Sequence, residues 1–396
     1  MFIYADNAAT TALGKAAKEA MLPYFDEFYA NPSSLHSSGQ RVKDDIIKAR
    51  QEVANAIGAA KASEITFTSG GSEADNQAII SAAEIGAKKG KKHIISTKFE
   101  HHAVLHTLEK LEKNGFEVTL IEPEGNGIVN PENIENAIRE DTALVTVMYA
   151  NNEIGTIQRI SEIGKICHEK GVIFHTDAVQ AAGHIHINVV EQNIDMLSLS
   201  AHKFNGPKGI GVLYTRAGIP LTRLIEGGGQ EKGRRAGTEN VPAIIGLAAA
   251  LKDSVKNIDK NTEHLTVLRD KIIDGLLEIP NTILNGDKTN RLPGNINVSF
   301  EGIEGESLLL LLDDKGIAAS SGSACTSSSL LPSHVLLAIG VPREVAHGSL
   351  RITLGENTTS EEAEYIIKSV KEVVEYLRSI SPVWDDFDKG VRKHVI

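Results

Sequence analysis

The stretch Ile194-Asp195-Met196-Leu197-Ser198-Leu199-Ser200-Ala201-His202-Lys203-Phe204-Asn205-Gly206-Pro207-Lys208-Gly209 decides how the chain reads. Its apolar first half has the pattern of a buried strand. Its second half is a loop punctuated by Gly206, Pro207 and Gly209. Lys203 stands where the strand gives way to the loop. A lysine there has two fates: it snorkels to water, or it is held in a pocket for chemistry. Free lysine titrates near ~10.4, and burial or neighbouring cations favour the neutral amine, which can form a Schiff base. Lys203 alone does not decide between them.

The same grammar repeats upstream. Glu64-Ile65-Thr66-Phe67-Thr68 reads as a short strand and runs into Ser69-Gly70-Gly71-Ser72, where Ser72 is expected to cap a helix reaching residue 88. Further strands are expected at residues 93–96, 116–121, 143–148 and 172–177. The third ends at Asn151-Asn152-Glu153 and the last in Asp177. Helical periods alternate with them, and one at residues 40–57, where Val42, Ile46, Ile47, Val53 and Ile57 recur, precedes the first. Strands alternating with helices predict an α/β fold with a mostly parallel sheet. Such sheets bind ligands beyond the carboxyl ends of their strands. Ser72, Asn152, Asp177 and Lys203 stand at four such ends, which argues for one site.

After Pro280 the character changes. Strands at residues 295–300 and 349–354, a leucine-rich helix at 306–315 and a long helix at 360–380 predict a smaller α+β domain. A helical region at 242–277 joins the two. The boundaries fall at residues 15–258 for the large domain and 1–14 with 259–396 for the small one. The small domain carries a loop near 320–332 and a C-terminal tail.

Composition narrows the function classes. At 396 residues with 41% hydrophobic and 23% charged, the chain is an ordinary globular protein. A formal net charge of −11 excludes a general nucleic-acid binder. The apolar runs at 241–251 and 308–312 are too short to span a bilayer. No signal segment precedes Asp6, so a cytoplasmic protein is expected. Two cysteines, Cys167 and Cys325, allow no disulfide framework. Cys167 shares a helical period with Ile160, Ile163 and Ile166 and reads as a core thiol. Cys325 lies among serines, Gly322 and Ala324, either a small residue of a solvated turn or a thiol able to swing toward a site.

Asp177 and Lys203, one βα unit apart, suit pyridoxal phosphate: an amine for the aldehyde and an acid for the ring nitrogen. The Gly71-Ser72 turn offers helix-terminal N–H groups to a single phosphate and fits neither G-x-x-x-x-G-K-[ST] nor G-x-G-x-x-G. An ion pair and an ordinary βα turn are the structural alternatives. Histidine pairs such as His184 and His186 lack an H-E-x-x-H or C-x-x-C setting, so no metal site is expected.

The chain resembles the group I (NifS/IscS-like) cysteine desulfurases of the class V, fold-type I pyridoxal-phosphate enzymes, almost end to end. The resemblance rests on Asp6-Asn7-Ala8-Ala9-Thr10-Thr11, Asn31-Pro32-Ser33-Ser34-Leu35-His36, residues 68–76, Glu100-His101 and Asn151-Asn152-Glu153-Ile154-Gly155. It continues through His175-Thr176-Asp177-Ala178-Val179-Gln180, residues 200–209, Gly227-Gly228-Gly229-Gln230-Glu231, residues 235–240 and Ser321-Gly322-Ser323-Ala324-Cys325. It implies that Lys203 carries the cofactor and moves the substrate Cα proton, and that Cys325 is the nucleophile taking sulfur from L-cysteine as a persulfide while alanine leaves. It implies that Asp177 faces the ring nitrogen, Gln180 the ring oxygen and His101 the ring itself, with Asn152 near cofactor and substrate. Gly71, Ser72, Ser200 and His202 would bind the phosphate, with Thr238 reaching over from the second subunit of a homodimer. Arg351 would hold the substrate carboxylate. The product sulfur would pass to an iron–sulfur scaffold protein or another acceptor, and Cys325 is the one residue the resemblance offers as a transient iron–sulfur ligand. Relatives commonly have Ala-Thr where this chain has Gly71-Ser72, and His102 is a departure. The tail Ser381-Pro382-Val383-Trp384-Asp385-Asp386-Phe387 resembles a scaffold-docking region; a solvated end with one packed tryptophan is the alternative.

Overall fold

A computed structural model describes residues 2–321 and 332–396; Cys325 lies outside the described residues. Strand β1 (Ile3–Tyr4) belongs to the second half of the molecule. The main sheet is built from β2 (Ile65–Thr68), β3 (His93–Thr97), β4 (Glu117–Ile121), β5 (Thr142–Thr146), β6 (Ile173–Asp177), β7 (Met196–Ser200) and β8 (Gly211–Thr215). Their order across the sheet is β2-β8-β7-β6-β5-β3-β4. Only β8 runs against its neighbours, so the other six open their carboxyl ends on one edge. This is the α/β architecture the strand–helix alternation predicts.

Both faces of the sheet are covered. Ile94, Leu144, Met196 and Leu213 pack with the helices Gly71–Ala87 and His102–Lys113. Their chain neighbours Ile95, Val145, Leu197 and Val212 point the other way, into a core shared with the helices Ser37–Ala56 and Val241–Lys256. Successive side chains of a strand alternate faces, so burial on both sides gives continuous apolar runs. Gly86 brings the helix Gly71–Ala87 close to the sheet: a Cβ there would lie 2.3 Å from that of Ala143.

The second half has its own core around Ile272, Val298, Leu350 and Val370. Strands β9 (Thr282–Leu284), β10 (Asn295–Phe300) and β12 (Ser349–Thr353) form an antiparallel sheet with β10 in the middle. The helices Ile258–Leu277 and Ser360–Ser379 pack with it. Strand β1 pairs in parallel with β11 (Ile317–Ala318), which buries Ile3 and Ala5 in this core. The helical region expected at 242–277 is two helices, broken at Asn257. The helix His334–Ala338 crosses back and buries Val335 and Leu336 in the main core.

Candidate active site

Beyond the carboxyl ends of the parallel strands lies a cavity of about 410 Å³. Ser72, Asn152, Asp177 and Lys203 all line it, as the strand-end argument predicts. Gly71, His101, Gln180, Ser200, His202 and Arg351 line it too. Thr238 does not; it faces a separate depression with Ser69, Gly209 and Arg235.

Lys203 ends the short turn Ala201–Lys203 that follows β7. Its Nζ donates to the carbonyls of Ala8 at 2.6 Å and Ala9 at 2.8 Å. Gln180 Nε2 donates to the same Ala8 carbonyl at 3.0 Å, so the N-terminal segment closes this side of the cavity. Asp177 is buried at the end of β6, and its Oδ1 accepts the Val179 N–H at 2.9 Å. Burial pushes its carboxyl up to about 6, against the pull of that N–H and of Lys203. His101 caps the helix His102–Lys113, its Nδ1 accepting the Ala103 N–H at 3.1 Å. The neutral ring therefore carries its proton on Nε2. Burial, then Lys203, His102 and His106, bring it down to about 4, so the ring is neutral at pH 7. His202 is tied through Nδ1 to Thr10 Oγ1 at 3.1 Å, and burial and the nearby lysines lower it to about 4.

One end of the site is built for an anion. The helix Gly71–Ala87 begins at Gly71, with Gly70 as its cap residue and no side-chain capping bond. Ser72 is therefore inside the first turn rather than the cap expected from sequence. The Ser69 N–H is taken by Glu73 Oε2 at 2.8 Å. Ser72, Ser200, His202 and Lys208 surround this helix start. Uncapped first-turn N–H groups and the helix dipole favour a phosphate. The departure at Gly71 has a local reason: a Cβ there would lie 2.6 Å from Val179 Cγ2.

Three buried acids of the cavity wall were not singled out as site residues from sequence: Asp75, Glu100 and Glu153. Asp75 Oδ1 accepts no hydrogen bond; His175 Nε2 lies 3.6 Å away. Burial and the charge of Asp177 raise Asp75 well above the carboxylate range. Glu100 Oε1 accepts from Thr97 Oγ1 at 2.7 Å and the Met148 N–H at 2.9 Å, whereas Oε2 has no partner. Burial pushes it up to about 8. Glu153, bonded by the Ser333 hydroxyl, is pushed by burial to about 7. The signal in the sequence was Asp75 three and seven residues before Ala78 and Ala82, one buried face of a helix. His102 joins a histidine group, 4.7 Å from the His334 ring and 5.0 Å from the His106 ring. Among the described residues no three side chains are placed to hold a metal ion. Cys167 is buried in the main core, its thiol raised by burial to about 12.

Pyridoxal phosphate fits this donor set: an amine at one strand end, an acid at the next, and an uncapped helix start beside them with free N–H groups for a phosphate. The sequence profile described as aminotransferase class-V matches residues 3–366, and the chain belongs to this pyridoxal-phosphate-dependent family. Within it the chain is a member of the NifS/IscS-like cysteine desulfurases. It is 55% identical over 381 residues to cysteine desulfurase IscS of Methanosarcina thermophila, covering 96% of this chain and 94% of the relative. It is 52% identical over 391 residues to cysteine desulfurase IscS of Clostridium botulinum, covering 98% of each. The fold superposes on a solved NifS-like protein with a TM-score of 0.89 at 39% identity, covering 95% of this chain and all of that one.

Proposed function

We propose that this protein converts L-cysteine to L-alanine and passes the sulfur to Cys325 as a persulfide, supplying iron–sulfur cluster assembly. The observation that carries the reading is one cavity joining the Lys203 amine, the Asp177 carboxyl and an arginine, Arg351, whose buried Nε donates to nothing among the described residues. Asp177 would hold the cofactor's ring nitrogen, Gln180 its ring oxygen, and Gly71, Ser72, Ser200 and His202 its phosphate. When bound, the cofactor supplies a sink for the electron pair left when the Cα proton is removed. Lys203 would move that proton, and His101, neutral with its proton on Nε2, would face the ring and could donate a proton. Asn152 and Arg351 orient the substrate. Cys325 thiolate takes the substrate sulfur: the S–S bond forms as the C–S bond breaks, and the carbon left behind is protonated to alanine.

The working unit is a homodimer. Supporting this, Thr238 faces away from its own cavity, as a residue serving a partner's site would. Apolar side chains also stand exposed at Leu22, Phe25, Tyr29 and Leu35, the last 94% exposed. Residues 15–258 form the cofactor-binding domain; 1–14 and 259–396 form the smaller one that carries Cys325. Among the described residues no helix is long and apolar enough to cross a membrane; the cytoplasm, which keeps thiols reduced, suits a nucleophilic Cys325. An iron–sulfur scaffold protein is the acceptor, docking near the C-terminal tail.

A single turnover with L-cysteine and no added thiol tests the reading. Alanine and Cys325 persulfide should appear in equal amounts; Lys203→Ala should lose both, and Cys325→Ala the persulfide. Pyruvate or a transaminated product without persulfide would overturn it.

A further inference from the structure

Arg351 lies on β12, buried, with its guanidinium held in a particular way. Nη1 donates to the Asn152 carbonyl at 3.0 Å, and Nη2 to Asp6 Oδ1 at 2.9 Å. Nε, equally buried, has no acceptor among the described residues. One part of the fork is thus occupied by the protein's own carboxylate, while the Nε hydrogen has no acceptor among the described residues. Asp6 is firmly placed. Its backbone bridges to Thr353 on β12, and the next two residues are tied to Thr353 as well, Asn7 N–H to its carbonyl at 3.3 Å and Ala8 N–H to its hydroxyl at 2.8 Å. The Ala8 and Ala9 carbonyls that follow receive Lys203. Asp6 therefore faces Arg351 from a segment locked at both ends.

We propose that Asp6 sets the affinity of the site for an α-carboxylate. It orients Arg351 through Nη2 and at the same time cancels much of its charge. An incoming carboxylate meets Arg351 from the cavity that it lines, but it must approach a guanidinium that already faces one carboxylate. Two like charges on one cation repel, so substrate and product are both held more loosely than a lone arginine would hold them. The α-carboxylate does not change during the reaction. Asp6 thus acts on substrate binding and alanine release alike, a uniform effect that moves KM and leaves the chemical step alone. This inference rests on the assignment of Arg351 to the substrate carboxylate.

Asn and Ala at this position separate the two roles. Asp6→Asn keeps an oxygen for Nη2 and removes the charge. Asp6→Ala removes both. In the cofactor-loaded enzyme, the Asn variant should bind L-alanine about five- to tenfold more tightly than wild type, read by the change in cofactor absorbance, and should lower KM for L-cysteine by a similar factor. The Ala variant should weaken both by about tenfold or more. Ethylamine, which is alanine without the carboxylate, should bind all three proteins equally. If Asp6→Asn weakens L-alanine, or leaves it unchanged, Asp6 is an ordinary structural partner and the inference is overturned. Arg351→Ala provides the separate control. If it does not weaken L-alanine relative to ethylamine, the assignment of Arg351 itself fails, whatever the Asp6 variants do.

Discussion

Replacing Glu100 by glutamine should stabilise the cofactor-free protein at pH 8 and leave it unchanged or slightly less stable at pH 5. Glu100 is fully buried, and its burial is the main reason it titrates near about 8; the Asp177 charge adds to the rise, while the Thr97 and Met148 bonds oppose it. An unfolded glutamate titrates near ~4.3, so folding raises the group by roughly 3.7 pH units, and at about 1.36 kcal/mol per unit the ceiling is about 5 kcal/mol. The sign follows from the direction. A group raised on folding contributes fully below its unfolded value, and that contribution is lost as pH climbs through the folded value. Wild type thus loses stability from this residue between about pH 4.3 and pH 8. Glutamine cannot ionise, and its oxygen can still accept from Thr97 and Met148. Its NH2 must sit where Oε2 lacks a partner, which costs about 1–2 kcal/mol. The net gain at pH 8 is therefore about 2–4 kcal/mol. With an unfolding entropy of about 2.1 cal/mol/K per residue, that shifts the midpoint by roughly 2–5 °C for a chain of this length. Calorimetric melts of both proteins at pH 5 and pH 8, cofactor removed, measure it. Asp75 and Asp177 titrate in both proteins, and losing the Glu100 charge also eases the ionisation of Asp75, which adds to the gain at pH 8. A midpoint difference that is the same at both pH values, or a variant less stable at pH 8, would refute the reasoning.

Three further outcomes are expected. Glu231 takes a two-pronged contact from Arg50, both contacts 2.6 Å, and the Phe67 N–H at 3.0 Å, fixing a segment where Glu231 and Lys232 hold φ of 48° and 57°. Glu231→Ala leaves the half-buried Arg50 without its carboxylate, though still bonded to the Ile65 carbonyl, and should lower the unfolding free energy in urea by about 2–3 kcal/mol, with Glu231→Gln intermediate. Gly71→Ala should press on Val179 and cost about 1–3 kcal/mol, with weaker retention of pyridoxal phosphate on dialysis; pairing it with Val179→Ala should restore retention. Removing residues 384–396 takes away Trp384, 3.9 Å from the Arg378 guanidinium, and His394, bonded to Glu301 at 2.7 Å. The truncated enzyme should melt a few degrees lower and still form alanine, and pull-down of an iron–sulfur scaffold protein should fail; intact scaffold binding would remove the tail from the docking surface.

The parts of this molecule legible in its sequence are those set by local pattern. Ile94-Ile95 and Met196-Leu197 announce strands buried on both faces, and the rule that ligands gather at strand ends then brings Ser72, Asn152, Asp177 and Lys203 together without any knowledge of packing. Strand β8 escaped because Gly211-Val212-Leu213-Tyr214-Thr215 follows directly on a glycine–proline loop, where a short apolar run has no readable period. The break at Asn257 escaped because the apolar spacing continues across it and only the backbone turns. The acids are the harder case. A carboxylate in a helix or after a strand reads as a solvated face, and what buries Asp75 and Glu100 is packing by residues far along the chain. The Asp6–Arg351 contact joins residues 345 apart. No period in a sequence encodes that distance.

Burial pushes both signs of charge toward neutrality in this cavity. Asp75, Glu100, Glu153 and Asp177 rise, and His101 and His202 fall. The raised acids cost the empty protein stability at neutral pH and the lowered histidines cost it in acid, yet a surrounding that penalises charge also strengthens every charge–charge contact made inside it. A ligand that brings a ring nitrogen to Asp177 and an anion to the helix start recovers part of that cost on binding. Pyridoxal phosphate should therefore raise the melting midpoint of wild type more than that of Glu100→Gln, because the variant has less to recover. Equal cofactor-induced shifts in the two proteins would mean that Glu100 is destabilising for reasons unrelated to the site it lines.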